Sequence, residues 1–385
     1  MNPAASQRFV VLDSFRGLCA VSVVLFHIHL WQSVAEWSFF RSAGLLVEFF
    51  FVLSGFVLAH RYHDKAMNGA GLRDFMISRT CRIFPLHLAT LLLMCALIVL
   101  TPLLDQARLS DLPDMVLDGD LIVQLRYNAL LLQGWLPEAE LFAFNGPSWS
   151  ISVEYYIYVV FGLIVLLARR RTTAAMLLMV FLCSLASFLL APKLAHSPGL
   201  RGLNCFFIGA AMYAAHVKTR EFVPSRRWMN ALEILTLIAL YFMITLNYPQ
   251  KSYWASWGFA AAIGVFALER GVISDYLKRP VFVALGEWSY SIYLMHFIVL
   301  FMLNVLLARF IPEWQLQGEK ALYIHTGSAL SNHLLLLATL GVVLSCARLS
   351  FIWIEKPGMR LGKYWQNRRQ RAALKLAYSS NSRSF

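Results

Sequence analysis

Long apolar runs constrain this chain more than any other feature of its sequence. A helix crosses a hydrocarbon layer about 30 Å thick with roughly 20 mostly apolar residues. Ten segments meet this requirement: residues 13–31, 45–60, 84–104, 148–168, 173–191, 200–215, 231–246, 253–268, 282–307 and 334–355. We therefore predict an all-α, polytopic integral membrane protein with about ten transmembrane helices.

The composition supports this fold class. Of the 385 residues, 59% are hydrophobic and only 14% are charged, whereas about a quarter of the residues in a soluble domain are charged. The same apolar excess excludes a disordered or fibrous chain. The net charge is nevertheless +13, which is typical either of a nucleic-acid-binding protein or of the cytoplasmic loops of a membrane protein.

The positions of the basic residues decide between these two classes. With ten spans and a cytoplasmic N-terminus, 24 of the 34 Lys and Arg residues fall on the inner side and eight on the outer side. A bias of this sign agrees with the positive-inside rule. We predict that both termini are cytoplasmic and that the chain binds the lipid bilayer and no nucleic acid.

The chain divides into a transmembrane domain at residues 1–357 and a basic tail at residues 358–385. The tail is expected to be solvated or to lie on anionic headgroups. The longest outer connection covers residues 105–147 and is expected to hold a short amphipathic piece around residues 121–135. It is interpreted as a solvated loop or as a lid or acceptor groove.

The first predicted helix carries ionisable side chains, which mark a functional site when they lie inside a membrane. Arg16 and His27 are eleven residues apart, so they share one face within roughly 20° and lie about 16 Å apart along the helix axis. Asp13 lies one turn before Arg16 and can pair with it. The pattern favours His27 as a general base, and the alternative is a histidine hydrogen-bonded between helices. His29 points elsewhere and is interpreted as an interfacial residue.

The fourth predicted helix begins with Ser148 and Trp149 and carries Glu154 about two turns from its outer end. Glu154 can match the depth of His27, so we expect it to orient the imidazole or a substrate hydroxyl. The alternative is a carboxylate paired with a buried arginine. In the second helix, the small residues 54–55 indicate close helix packing more than a nucleophile.

Arg79 and Arg82 close the second inner connection and are interpreted as lying at the start of a helix on the cytoplasmic face. Their spacing suits phosphate oxygens, and the alternative is ordinary positive-inside charge. His60, His63 and Asp64 are residue types that bind metals, but the further ligands that a metal site needs are lacking. We expect no metal, and the six cysteines indicate neither disulfides nor a metal cluster.

Buried Arg, His and Glu side chains also suit a proton-coupled transporter of a small anionic or sugar-containing solute. Two features weigh against a transporter: no repeat relates the halves of the chain, and no matching pair of helices is broken by Gly or Pro. A lipid-embedded scaffold is a third class, but it does not require Arg16 and His27 to be aligned.

Six short motifs in order resemble the membrane-bound acyltransferase-3 family, which O-acylates surface polysaccharides and related acceptors. The motifs lie at residues 12–18 with His27, 49–56, 79–85, 148–154, 286–296 and 354–357. Each motif is weak alone, but together they extend over nearly the whole chain. Where many family members have a second acid and a later proline, this chain has Tyr155 and Gly162, which loosens assignment to a subgroup.

The resemblance implies that an acyl group, usually acetyl, passes from coenzyme A on the cytoplasmic side to a hydroxyl on the outer side. It maps the family's essential pair to Arg16 and His27 and its donor-binding arginines to Arg79 and Arg82. Acyl-CoA is then the donor substrate, with no tightly bound cofactor. The expected acceptor is a glycan or lipid-linked sugar, the expected location is the bacterial inner membrane, and a homo-oligomer is possible. His296 and Glu355 are interpreted as packing and polar-network residues.

Overall fold

The structure is a computed structural model, and it describes residues 8–62, 67–104, 120–189, 197–219, 221–222, 224–318 and 321–381. Its helices are α1 (Val10–His27), α2 (Ser38–Arg41), α3 (Leu46–Tyr62), α4 (Gly69–Leu104), α5 (Leu121–Ala129), α6 (Ser148–Ala168), α7 (Thr172–Leu189), α8 (Pro198–Thr219), α9 (Arg226–Thr245), α10 (Lys251–Phe266), α11 (Val272–Leu277), α12 (Pro280–Phe310), α13 (Ala329–Ser350) and α14 (Lys356–Asn381). A π-helical turn, Phe351–Glu355, joins α13 to α14, and two short strands, β1 (Gln315–Gln317) and β2 (Leu322–Ile324), form an antiparallel hairpin.

Each of the ten predicted apolar segments overlaps a helix. Among the described residues, eight helical stretches are long and apolar enough to cross a membrane, so the chain is an all-α, multi-pass membrane protein. Two of the ten predicted spans are not among the eight: α8, which carries Arg201, Asn204 and Lys218, and α10, which has 16 residues. A count of ten spans with both termini cytoplasmic stays a prediction.

The helix pair α1 and α12 forms the centre of the bundle. Gly17 lies beside Gly286, and ten residues further along both helices His27 lies beside His296, so the two helices run parallel in register. A Cβ atom at Gly17 would meet the backbone nitrogen of Gly286 at 2.5 Å. The two backbones are therefore in direct contact, a packing that small residues permit in membrane helices.

A second close crossing joins α3 to α8. A Cβ atom on Gly55 would collide with the carbonyl of Phe206, and one on Gly209 would collide with the carbonyl of Val52. This geometry agrees with the close packing that residues 54–55 indicate. With the orientation predicted from the basic residues, α1 and α12 run from the inner to the outer face, and α3, α6 and α8 run back.

The hairpin fixes the chain that follows α1, at the end of the bundle that the predicted orientation places outside. The amide of Ile324 donates to the carbonyl of His29 at 2.8 Å, and the amide of Trp31 donates to the carbonyl of Ile324 at 2.9 Å. The Arg41 guanidinium donates to the carbonyls of Leu25 and Ile28, at the end of α1. The outer end of α1 is thus capped by a side chain and held by a strand.

Three features differ from the sequence predictions. The hairpin was not predicted, because its strands have three residues each. The described part of the tail, residues 358–381, is helical and contacts the bundle, since Arg369 lies 3.1 Å from the carboxylate of Asp74 in α4. The predicted amphipathic piece is present as α5, but it ends at Ala129 instead of near residue 135.

Candidate active site

A small polar cavity lies where α1, α3, α6 and α12 meet. Its volume is about 50 Å³. Arg16, Glu154 and the hydroxyl-bearing residues Ser54, Ser150, Ser289, Tyr290 and Tyr293 line it together with apolar side chains such as Phe50. Two of the predicted site residues, on different helices, therefore share one cavity inside the membrane domain.

Two hydroxyl groups hold Glu154. Ser54 of α3 donates to Glu154 Oε1 at 2.5 Å, and the hydroxyl of Tyr158, one turn further along α6, donates to the same oxygen. Glu154 is thus fixed within the polar cavity, with one oxygen accepting two hydrogen bonds. That Glu154 orients the His27 ring or a substrate hydroxyl stays a prediction.

A line of polar side chains runs from this cavity to His27. Ser150, one turn outward from Glu154, donates to the hydroxyl of Tyr293 at 2.8 Å. The ring centroids of Tyr293 and His296 are 5.8 Å apart, and His296 lies against His27 with centroids 4.9 Å apart. The cavity and His27 therefore lie at different depths along one polar seam.

His27 is the last residue of α1, and its ring contacts two acceptors. Its Nδ1 atom lies 2.9 Å from the carbonyl of Val23 and 3.3 Å from Nε2 of His296. Because a carbonyl can only accept, Nδ1 carries the hydrogen of the neutral ring, and Nε2 is the basic atom. The contact with α12 matches the alternative interpretation of an interhelical histidine, and it leaves the ring in the tautomer that a general base needs.

His296 completes this pair from α12. It is fully buried, and its Nδ1 atom faces the carbonyl of Ile292 at 3.3 Å. Its Nε2 atom is then the acceptor that faces Nδ1 of His27. From the sequence, His296 was predicted to be a packing residue. The feature that could have indicated a functional role is the position of this histidine within the ninth apolar run.

The predicted ion pair between Asp13 and Arg16 is wrong. Asp13 accepts a hydrogen bond from Nε of Arg8 at 2.6 Å, because Arg8 precedes the first turn of α1 and folds back over its inner end. No oxygen of the described residues accepts a hydrogen bond from Arg16, which lines the polar cavity within electrostatic reach of Glu355. A guanidinium in this setting can bind an anionic or carbonyl oxygen of a ligand.

Arg79 and Arg82 lie inside α4 and not at the start of a helix, which corrects the prediction. The helix begins at Gly69, because apolar residues at helical spacing, such as Phe75, continue its buried face inward. The guanidinium of Arg79 lies 5.6 Å from the ring of Phe75 and 5.4 Å from the ring of Tyr158. Its Nε atom is buried, and none of the described residues accepts a hydrogen bond from it.

Glu355 joins the arginines from the far end of the chain. It is 1% exposed, ends the π-helical turn, and accepts a hydrogen bond from Ser291 at 2.7 Å. Arg82 and Arg16 both lie within electrostatic reach of its carboxylate. Sequence analysis assigned Glu355 to a polar network. In the sequence, an acidic residue at the end of an apolar run could have indicated a functional site. In the structure, Glu355 ends a π-helical turn, a feature that is frequent at functional sites.

Ser148 and Trp149 support the start of α6. The side-chain amide of Gln133 donates to the Ser148 hydroxyl at 3.1 Å. The guanidinium of Arg201 lies 5.1 Å from the Trp149 ring, and its Nε atom is 3.4 Å from the buried carboxylate of Glu48. These contacts join α6 to α8 and α3 near the outer face, and neither Ser148 nor Trp149 lines the polar cavity.

Metal ligands do not converge in the described part of the chain, where no group of three or more His, Cys, Asp or Glu side chains could hold a metal ion. His60 faces the hydroxyl of Tyr213 at 3.0 Å. His63 and Asp64, the other two residues of this group of potential metal ligands, lie outside the described residues.

Comparison with known proteins gives one family for nearly the whole chain. The acyltransferase-3 family model, described as an acyltransferase domain, matches residues 9–352. Acyltransferase MdmB of Streptomyces mycarofaciens is 28% identical over 393 aligned residues, which cover 93% of this chain and 94% of that protein. Protein 2 in the picA locus of Rhizobium radiobacter is 33% identical over 172 residues, which cover 42% of this chain and 84% of that protein. No solved structure gives a significant match.

Proposed function

This chain belongs to the acyltransferase-3 family and is a multi-pass membrane acyltransferase, and we propose that it transfers an acetyl group from cytoplasmic acetyl-CoA to a hydroxyl of a surface or exported glycan. Membership of this family favours an enzyme over the transporter and the scaffold. The observation that supports the finer proposal is the polar seam, which has arginines toward one end and a basic histidine nitrogen toward the other; in the predicted orientation these are the inner and outer ends. The expected location is the bacterial inner membrane.

The inner part of the seam suits the donor. Arg79, Arg82 and Arg16 bring three guanidinium groups to one region, and coenzyme A carries several phosphate charges that such groups bind well. Glu355 and Glu154 lie within electrostatic reach of Arg82. These two carboxylates balance the arginines when no anion is bound, which is the arrangement expected for buried charges.

The polar cavity must widen when the donor binds. At about 50 Å³ it has room for one or two water molecules, each of which takes about 30 Å³ of liquid. The pantetheine arm is far larger than this space. We therefore expect donor binding to displace side chains that line it, such as Phe50 and Tyr290, and so to open a path toward His27.

The outer part of the seam suits the transfer step. Nε2 of His27 takes the proton of the acceptor hydroxyl while that oxygen forms its bond to the thioester carbonyl carbon. The carbon–sulfur bond then breaks, and the thiolate of coenzyme A takes the proton back from His27. During this step the Nδ1 hydrogen of the charged ring is shared by the carbonyl of Val23 and Nε2 of His296.

The test is acyl transfer by the purified protein in lipid vesicles. Radiolabelled acetyl-CoA is incubated with candidate glycans, and covalent label is measured in the glycan. We expect label that depends on the protein and is lost in His27→Ala. Uptake of solute without covalent label would contradict the proposal and favour transport.

A further inference from the structure

A second, much larger cavity lies on the opposite side of α1 from the polar seam. Its volume is about 610 Å³. It lies between α1, α3, α9, α10 and the segment around α2, it is partly open to the outside, and its lining is almost entirely aliphatic and aromatic. The hydroxyl of Ser22, which faces it, already donates to the carbonyl of Leu18 at 2.9 Å. We refer to this space as the apolar cavity.

The shape of the apolar cavity fits one extended chain. Its α1 wall runs from Leu12 to Leu25, which is about 20 Å along the helix. The volume spread evenly over that length corresponds to a mean cross-section of about 30 Å². A space of this length and mean cross-section can hold one extended hydrocarbon chain, whose carbons approach wall atoms at about 3.5–4.0 Å.

The two ends of the apolar cavity differ. Toward the inner end, Leu12 and Phe266 are each 1% exposed, and the rings of Phe15 and Phe266 meet edge to face with centroids 4.6 Å apart, so this end is closed. At the outer end, Trp37 and Tyr241 are 63% and 47% exposed, as aromatic residues at a membrane interface are. A chain can therefore enter from the outer side with its polar head outside.

The lining excludes water and selects hydrocarbon. An apolar space of this size is costly to leave empty, because its wall atoms lose their van der Waals partners, and water finds no polar groups to bond there. On α9, Leu237, Leu240 and Ile244 face this space, while residues such as Leu235 and Phe242 are exposed on its other side. This helix therefore forms one wall between the apolar cavity and the outside of the bundle.

We propose that the apolar cavity binds the hydrocarbon chain of a lipid-linked acceptor and so holds the acceptor's polar head beside the outer end of α1. Leu25 lines the cavity, and His27, two residues later and on the other face, is the last residue of α1, so a head at the open end reaches the proposed base around the end of the helix. An inner-leaflet or cytoplasmic ligand would need the closed end instead. This inference rests on the proposed function, because it names the class of acceptor for the same reaction.

Two adjacent alanines on α10 give a matched test. Ala262 lines the apolar cavity and is 3% exposed, whereas Ala261 is exposed on the same helix. Dodecyl and methyl glycosides of the sugar that is acylated serve as paired acceptors. We expect the wild type to have a KM for the dodecyl glycoside at least about tenfold lower than for the methyl glycoside, since burial of each methylene is favourable.

Ala262→Phe should abolish this preference, and Ala261→Phe should retain it. Cys19→Phe fills the same space from α1 and should repeat the result if Ala262→Phe fails to fold. Equal KM values for the two acceptors in the wild type, or a preference that survives both filling substitutions, would overturn the inference while leaving the proposed function intact.

Photolabelling separates failure of this inference from failure of the proposed function, because it needs no turnover. A dodecyl glycoside with a diazirine on its chain should label peptides of α1 and α9 in the wild type and in Ala261→Phe but not in Ala262→Phe. Labelling of these peptides by a diazirine-bearing phosphatidylglycerol that the glycoside does not displace would assign the space to bulk lipid and overturn the inference.

Discussion

The two faces of α1 are built in opposite ways. On one face, Gly17 meets Gly286 with backbones in contact, and the polar side chains of the seam are packed between helices. On the other face, a space of about 610 Å³ separates α1 from α9. The helix is thus in tight contact where it carries Arg16 and His27 and loosely packed where it carries Phe15 and Leu25.

This difference matches what each face is proposed to do. Reacting groups must be held within a fraction of an ångström of their productive geometry, and close backbone contact limits the motion of α1 against α12. A site for a flexible hydrocarbon chain needs volume and an apolar wall instead. The following changes test the two faces against each other.

The largest effect is expected for His27→Ala on the packed face. Loss of general-base assistance should lower the rate of transfer by about 10²–10⁴-fold and leave the protein folded and inserted. His333→Ala is the matched control and should retain activity, because the Nδ1 atom of His333 also contacts the carbonyl four residues earlier, at 2.7 Å. Retained activity in His27→Ala, measured with labelled acetyl-CoA, would remove His27 from the mechanism.

Arg82→Ala should weaken use of the donor. Hydrogen bonds to charged groups contribute about 1.5–3 kcal/mol, so the KM for acetyl-CoA should rise by about 10–100-fold while the KM for the acceptor changes little. Arg73→Ala is the control, since Arg73 is an exposed arginine on the same helix. An equal rise in both KM values would indicate a structural role for Arg82.

Gly17→Ala should disturb the packed face without removing a reacting group. The added Cβ atom would meet Gly286 at 2.5 Å, and such overpacking destabilises by about 1–3 kcal/mol. Thermal unfolding and activity should both fall. Gly341→Ala in α13 is the control, because no atom lies within 4 Å of its added Cβ. A neutral Gly17→Ala would show that the close contact is not required.

The smallest effect is expected at His29, beyond the end of α1. Burial and the neighbouring guanidinium of Arg41 lower the pKa of His29 to about 4, and Arg41 donates to its Nδ1 at 2.7 Å. The ring stays neutral in the folded protein where an unfolded histidine takes up a proton near 6.5. Its contribution to stability is therefore complete above pH 6.5 and is lost as the pH falls toward 4.

His29→Gln should accordingly leave activity near pH 7 almost unchanged and flatten the loss of thermal stability between pH 6.5 and pH 4.5. The difference should be on the order of 1 kcal/mol, because partial exposure screens the charge. A shifted rate–pH profile in this variant would show that His29, and not only His27, takes part in the reaction.

Periodicity in the sequence predicted much of this arrangement. It identified every long apolar helix and placed Arg16 and His27 on one face, which the structure directs toward α12 and the polar cavity. It also singled out Glu154, which lines that cavity with Arg16. These predictions succeed because the spacing of residues along one helix determines the face on which they lie.

The partners of these residues could not be predicted, because periodicity does not say which helices are neighbours. His27 and His296 are 269 positions apart, and Ser54 and Glu154 are 100 positions apart. Helical spacing predicted that Asp13 can pair with Arg16, but Asp13 accepts a hydrogen bond from Arg8, which precedes the helix. Glu355 ends a π-helical turn and is buried, and regular helical periodicity does not predict such a turn.

The proposed transfer of the acyl group from the inner to the outer side is tested by supplying the donor to one face of the membrane at a time. Vesicles of one protein orientation are given labelled acetyl-CoA on one side and the acceptor glycan on the other. We expect labelled glycan only when acetyl-CoA is on the side of the inner ends of α1 and α4, and none with His27→Ala. Labelled glycan formed with acetyl-CoA on the side of the hairpin, or formed equally by His27→Ala, would contradict it.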